Sequence, residues 1–306
     1  MKICIQTGDV VDDFGFERGY RLLREIGFEG IDWNIDHALS PGQLKEGHFP
    51  SCIFERPLPE ILDHYREEIE AIQKSGLSIS QAHAPFPAHV RGIPQSDDYM
   101  IEIYKGCIRL CDAVGCKNLI IHGISCSPAE PELSAGDVDR MNAHLYESLI
   151  PVLKQTKVTV CLENLFTHLG GCNFEGTCSN PFEAVRYIDA LNEKAGSECF
   201  GLCLDTGHLN LLRKNLREYV RILGRRIKAL HIHDNDSVND QHLLPFAGTL
   251  RWNDFTGAMK EIGYQGDLSF ETFNQTRLSR MDIEYIPVFL RAIHDIGEIF
   301  RERIQG

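Results

Sequence analysis

The sequence predicts an α/β protein of the (β/α)8 TIM barrel class, as a single domain over residues 1–306. Three observations predict it. Short runs rich in Ile, Val, Leu or Phe recur eight times, as strands buried on both faces should. A helical pattern fills each gap, and strict alternation of the two implies a parallel sheet. No GxGxxG follows the first run and no GxxxxGK[ST] occurs, so the commonest reasons to expect an open doubly wound sheet are missing.

The first strand falls at 2–8 (KICIQTG). Phe16, Tyr20, Leu23 and Ile26 then share one helical face over 16–27, and Gly27 closes it. The second strand is 30–35 (GIDWNI). Residues 36–57 carry no clear period and read as a long loop over part of the barrel mouth. Ile61, Leu62, Tyr65, Ile69 and Ile72 mark a helix over 58–75 that ends at Gly76. The strand at 78–83 (SISQAH) precedes a helix at 98–114, stopped by Gly115, and 118–123 (NLIIHG) precedes one at 137–156. The fifth strand, 158–163 (VTVCLE), is followed by Asn180-Pro181, a cap and proline that open a helix over 181–195 with Gly196 as its stop. The last three units pair 200–205 (FGLCLD) with 215–225, 228–233 (KALHIH) with 253–262, and 267–272 (DLSFET) with 284–303.

The formal net charge is −13. An acidic surface repels polyanions unless its charge is segregated, so a small neutral or metal-bound ligand is expected and nucleic acid is the weaker expectation. No run approaches the ~20 apolar residues of a membrane span. Met1 leads at once into strand-like sequence with no signal-peptide regions, so a cytoplasmic protein is expected. The 11 cysteines include no CxxC pair and read as reduced thiols. Cys4, Cys107, Cys111, Cys161 and Cys203 fall inside elements as small hydrophobes, and Cys126, Cys172 and Cys178 in loops as free surface thiols.

In a barrel the active site lies at the C-terminal ends of the strands. Strand three ends in His83 and strand four in His122. Strand five ends in Glu163-Asn164, strand six in Asp205-Thr-Gly-His208, strand seven in His231-Ile-His233-Asp234 and strand eight in Glu271-Thr272. Carboxylates converging at one mouth repel each other unless something neutralises them. A divalent cation is the simplest neutraliser, and Glu163, Asp205, His233 and Glu271 are its expected ligands. Three carboxylates with one imidazole suit Mn2+ first, with Mg2+, Co2+ and Zn2+ also compatible. His231 and His233 face the same side of their strand, ~6.6 Å apart. His233 is nearer the mouth and takes the metal, and His231 is expected one layer deeper as a core or supporting histidine. His83 and His122 read as ligands or substrate contacts, or else as structural imidazoles. Asp240 and His242 read equally as site residues and as a surface turn. Trp33 and Trp252 read equally as sugar platforms and as core.

These residues resemble the xylose isomerase-like barrel superfamily, which holds sugar isomerases and epimerases, inosose-processing enzymes and the AP endonuclease IV family. The matching motifs are Glu163-Asn164, Asp205-Thr206-Gly207-His208, His231-Ile232-His233-Asp234-Asn235 and Ser269-Phe270-Glu271-Thr272. The resemblance implies one metal on the four residues named above. In the ketose epimerases of this group the two metal-bound glutamates also move the proton, which implies Glu163 and Glu271 as the catalytic pair. It implies His208 as a contact to substrate oxygens, with His122 and His83 as further expected contacts. Those epimerases also place a substrate-contacting Glu six residues after the first ligand, where this chain has Leu169.

The endonuclease branch uses three zinc ions, and His83, His122, Glu163, Asp205, His208, His233, Asp240, His242 and Glu271 could each fill a ligand position of that cluster. The acidic total and the lack of an evident Lys/Arg-rich loop favour sugar chemistry instead. The expectation is a metal-dependent sugar isomerase or epimerase, with a related lyase or dehydratase, or a zinc-dependent repair nuclease, as alternatives. Its partner is a small sugar or cyclitol, and a homo-oligomer is compatible with this reading. The substrate is expected to be neutral, because the acidic stretch 234–240 would repel a phosphate. Arg277 and Arg280 are the cations that would otherwise receive one.

Overall fold

The computed structural model describes residues 1–93, 95–125, 128, 133–274 and 282–306. Eight strands make one sheet: β1 (Ile3–Gln6), β2 (Gly30–Asn34), β3 (Ser78–His83), β4 (Asn118–Ile121), β5 (Thr159–Glu163), β6 (Phe200–Asp205), β7 (Ile227–His231) and β8 (Leu268–Phe270). Their order is β8-β1-β2-β3-β4-β5-β6-β7, each strand beside its neighbour in sequence, as the (β/α)8 barrel requires. Just past β7, Ile232 pairs in parallel with Phe270 of β8, the other end of that order. Every residue of β6 is buried, which is why FGLCLD shows no alternation. Among the described residues no helix is long and apolar enough to cross a membrane.

The chain divides into two compact units, and the division passes through β3 and β6. The first comprises Met1–Trp33, Glu67–Ser80 and Cys203–Gly306. There β1 pairs with β8 in the register Ile3↔Leu268 and Ile5↔Phe270. Helix Ile286–Gln305 buries Ile286, Leu290, Ile293, Phe300 and Ile304. Phe300 stacks on Trp252 at 5.3 Å and on Phe270 at 6.3 Å. Trp252 is therefore core, and Trp33 is fully buried as well, so neither offers a sugar a free ring face.

The second unit comprises Asn34–Arg66 and Gln81–Leu202. Its helix Pro181–Ala195 begins as the sequence predicts. The Asn180 side chain accepts from the Phe182 N–H, and Gly196 ends the helix in the left-handed region. The stretch 36–57 is not a featureless loop. It holds helical turns at Asp36–Ala38, Pro41–Lys45 and Ile53–Glu55, and buries Leu39, Leu44 and Phe54. Gly106 lies where a Cβ would overlap the Phe54 carbonyl, which lets helix Gln95–Val114 approach this segment.

Two expected helices are broken, into Leu58–His64 with Arg66–Ser75 and into Ala135–Glu147 with Ile150–Leu153. After β5 the chain makes an antiparallel hairpin, Phe166–Leu169 with Cys172–Glu175, turning on Gly170 and Gly171 at φ of 60° and 81°. Two consecutive positive φ values are what a tight two-residue hairpin requires, and Gly-Gly supplies them. Among the described cysteines all are free, and Cys172 is exposed. Cys178, expected at the surface, is buried, and its burial pushes the thiol well up from its ordinary value. Cys126 lies outside the described residues.

Candidate active site and metal centre

In the first unit, β6 ends on Asp205, which caps the short helix Thr206–Leu211. Its Oδ1 accepts from the His208 N–H at 2.7 Å. Its Oδ2 lies 3.0 Å from Nε2 of His233, 3.7 Å from Nδ1 of His208 and 3.9 Å from Nδ1 of His231. The bridge Ile232↔Phe270 explains the third member, because it sets His233 level with Glu271. Asp205, His233 and Glu271 each offer a ligand atom, all within 4.8 Å of one another. Asp205 and His233 are fully buried, and the Glu271 side chain is 14% exposed. Gly207 is required here, because a Cβ on it would overlap the His233 imidazole.

His231 is buried and has a partner that the sequence reading missed. Its Nε2 lies 3.1 Å from Asp32 Oδ2, and its Nδ1 lies 3.5 Å from Glu271 Oε2. Asp32 is 1% exposed. An acid in the middle of an apolar strand (GIDWNI) was the available signal.

Asp240 and His242 do not stand apart in a surface turn, since His242 is buried and both pack against the first-unit cluster. His242 Nε2 lies 3.0 Å from Asp240 Oδ2, its Nδ1 meets the Glu271 carbonyl at 3.1 Å, and its ring stacks on His233 at 3.9 Å. His208 Nε2 approaches the same Asp240 oxygen at 3.8 Å. His208, His233, Asp240 and His242 thus form a second group of potential ligands. Partial burial works to raise the Asp240 carboxyl. Hydrogen bonds and charge from His208 and His242 outweigh it and hold the group well below the usual carboxylate range.

The loop that carries them is held by Asp234, which is fully buried. Asp234 accepts from the N–H groups of Asn235, Phe246 and Leu250 and from the Trp252 indole. Asp236 accepts from the N–H groups of Val238 and Asn239. The acidity of 234–240 is thus largely committed to the loop itself, which weakens it as a barrier to phosphate. Arg277 and Arg280 lie outside the described residues.

In the second unit, the register Ile121↔Leu162 carries His122 beside Glu163. His122 Nε2 is 3.0 Å from Glu163 Oε2 and 3.0 Å from His83 Nε2, and His83 Nδ1 meets the Ala84 carbonyl at 2.9 Å. His83, His122 and Glu163 are thus one cluster, with Phe86 packed 4.9 Å from the His122 ring.

A divalent cation fits the first-unit residues. The donors are carboxylate oxygen and imidazole nitrogen, and the His233–Asp205 separation of 3.0 Å is the span of adjacent ligands around an octahedral ion with bonds of about 2.1 Å. His233 Nδ1, turned away from Asp205, is buried without a hydrogen bond.

The chain is 26% identical over 277 residues to the uncharacterized protein y4fM of Sinorhizobium fredii, covering 85% of this chain and 82% of that one. Among solved structures it resembles a D-tagatose 3-epimerase-like protein (TM-score 0.69, 18% identity, 96% of this chain and 99% of that one). It also resembles the 3-keto-D-glucoside 4-epimerase of E. coli (TM-score 0.67, 18% identity, 95% and 99%). The xylose isomerase-like TIM barrel profile matches residues 20–292, and the chain belongs to that family.

Proposed function

We propose that the chain is a divalent-metal-dependent sugar isomerase or epimerase. The observation that carries the reading is the buried Asp205–His233–Glu271 group at the ends of β6, β7 and β8. The fold it shares with proteins named as sugar epimerases supports it. Asp205, His233 and Glu271 would hold the cation, with Glu163 as the fourth ligand implied by the sequence motifs. Mn2+ is the first candidate, and Mg2+, Co2+ or Zn2+ are substitutes.

When bound, the cation polarises a substrate carbonyl and offsets the charge that develops on its oxygen. The chain's own residues supply the proton chemistry. One of Glu271 and Glu163 takes the proton from the carbon beside the carbonyl, leaving an ene-diolate, and the other returns it. Return to the opposite face of the same carbon epimerises the sugar, and return to the neighbouring carbon isomerises it. His231, braced by Asp32, fixes the aim of the Glu271 carboxylate. His208, His122 and His83 are the proposed contacts to substrate hydroxyls. In the test, exhaustive chelation abolishes activity on a panel of ketoses, inososes and 3-keto-glycosides, and added Mn2+ restores it. Full activity in metal-free protein would sink the proposal.

A second reading has its own observation behind it. The His208–His233–Asp240–His242 and His83–His122–Glu163 groups supply donors for more than one cation, as a zinc-cluster nuclease needs. Metal content per chain and an abasic-site duplex separate the two. One bound metal and an intact duplex favour sugar chemistry, and three zinc ions with strand cleavage favour the nuclease.

A further inference from the structure

Helix Gln95–Val114 of the second unit ends in a turn that brings two thiols together. Gly115 follows it at φ 77°, the left-handed step that closes many helices. The Gly115 N–H donates to the Asp112 carbonyl at 3.2 Å, and the Cys116 N–H donates to the Cys111 carbonyl at 2.9 Å. These two bonds are the Schellman turn, which sets the residue after the glycine against the residue five places earlier, often through an apolar contact. Here both positions are cysteine.

The two side chains stand within hydrogen-bonding reach of each other. Cys111 is fully buried, Cys116 is 1% exposed, and both are free thiols. The Cys116 Sγ also lies 3.3 Å from the Asn118 carbonyl, at the start of β4. The backbone bond between the two cysteines holds their Cα atoms at roughly the 5–6 Å that a disulfide spans. Cys107 is a poorer partner for Cys111. Residues four apart on a helix keep their Cβ atoms about 5–6 Å apart, beyond the roughly 3.5–4.5 Å that a bridge needs.

We propose that Cys111 and Cys116 are an oxidation site, where a small peroxide converts the dithiol into a disulfide that fastens the helix to the start of β4. Contact with Cys116 and burial hold the Cys111 thiol well above its ordinary value, so Cys111 stays protonated and Cys116 reacts first. The Cys116 sulfur attacks one peroxide oxygen, the O–O bond breaks, and one water leaves a sulfenic acid on Cys116. The Cys111 sulfur then attacks Cys116, the S–O bond breaks, and the hydroxyl leaves with the Cys111 proton as a second water. Two thiols and one peroxide thus give one disulfide and two waters.

The bridge would close the six residues 111–116 at the N-terminal end of β4, the end away from His122. That face of a barrel bears on stability and not on catalysis. The proposal is therefore independent of the sugar chemistry, since it touches none of the residues assigned there.

Peptide mapping tests this. Arg109 and Lys117 flank the pair, so trypsin releases both cysteines, and no others, on the peptide 110–117. The folded protein is treated with hydrogen peroxide, quenched with catalase, alkylated as it is denatured, and digested without reductant. The peptide should be lighter than the dithiol by two hydrogens and carry no alkyl group. Reduction before alkylation should restore two alkyl groups. The exposed Cys172 reports that the peroxide has acted. The oxidised protein should melt a few degrees higher, because the bridge constrains the unfolded chain. Cys116→Ser should lose both the mass change and the rise, and Cys172→Ser should keep both. The wild-type peptide mass decides the matter whether or not the Cys116→Ser variant folds. Two alkyl groups on the peptide once Cys172 is oxidised, added oxygen in place of the bridge, or Cys111 bridged to another cysteine would each overturn the proposal.

Discussion

The His83–His122–Glu163 cluster of the second unit and the Asp205–His233–Glu271 cluster of the first use the same side chains in opposite proportion. In the second unit two imidazoles attend one carboxylate, and the His122–Glu163 and His83–His122 contacts of 3.0 Å join all three groups. In the first unit Asp205 and Glu271 are joined by Asp32 and Asp240 through His231, His233, His208 and His242. Four carboxylates around four imidazoles leave a negative excess when the histidines are neutral. A buried excess of that kind is costly without a cation. The difference is the ground for proposing that the first-unit cluster needs a cation to offset its charge, whereas hydrogen-bond distances already join the three groups of the second.

The largest effect is expected where that excess is centred. Asp205→Asn removes a ligand charge and should lower kcat/KM on the order of a thousandfold, about 4 kcal/mol, with a parallel loss of bound metal. His122→Gln should cost less activity and leave metal content near the wild-type level. Equal metal loss in the two variants would break the comparison. Gly207→Ala sharpens it, because the new methyl displaces the His233 ring. Metal content measured by mass spectrometry should fall while the helical signal in circular dichroism persists.

A step down in effect is Asp32→Asn. Asp32 braces His231 and not the metal directly, so metal affinity or activity should drop about 10- to 100-fold, as outer partners of ligands usually show. Asp234→Ala acts on stability instead. It removes a buried carboxylate that four donors share, and should cost on the order of 3 kcal/mol in denaturant unfolding. A loss below about 0.5 kcal/mol, the range of ordinary surface substitutions, would mean that the loop does not depend on it.

The smallest effect concerns thiols. Burial pushes the Cys107 and Cys178 thiols well up from their ordinary value, and a hydrogen bond with Cys116 together with burial does the same for Cys111, whereas Cys172 is exposed. A native thiol assay should label Cys172 rapidly and the buried cysteines only on unfolding. Cys172→Ser identifies the fast signal.

The eight-unit period was legible because each barrel strand is buried on both faces and each helix on one. The strand-end acids and histidines were legible for a related reason, since chain order fixes which residue follows each strand. What escaped the sequence reading depended on non-local contacts or on turn chemistry. Asp32 gains meaning only through His231, 199 positions away. His242 read equally as site residue and surface turn, and what sequence could not give is its ring stacked on His233, with its own backbone at φ 46°. The hairpin after β5 was signalled by Gly170-Gly171 but read against a barrel template that has no place for it. Nor does net charge tell that Asp234 of the acidic loop is turned inward onto four donors.

Solvent isotope exchange tests the central claim most directly. The Mn2+-loaded protein would be incubated in D2O with a panel of neutral ketoses and 3-keto-glycosides, and the sugars read by NMR and mass spectrometry. The account predicts deuterium on the carbon beside the carbonyl of the sugar that turns over. It also predicts that Glu271→Gln abolishes this exchange. Turnover without solvent deuterium and unaffected by Glu271→Gln, or no sugar turnover alongside efficient cleavage of an abasic-site duplex, would contradict it.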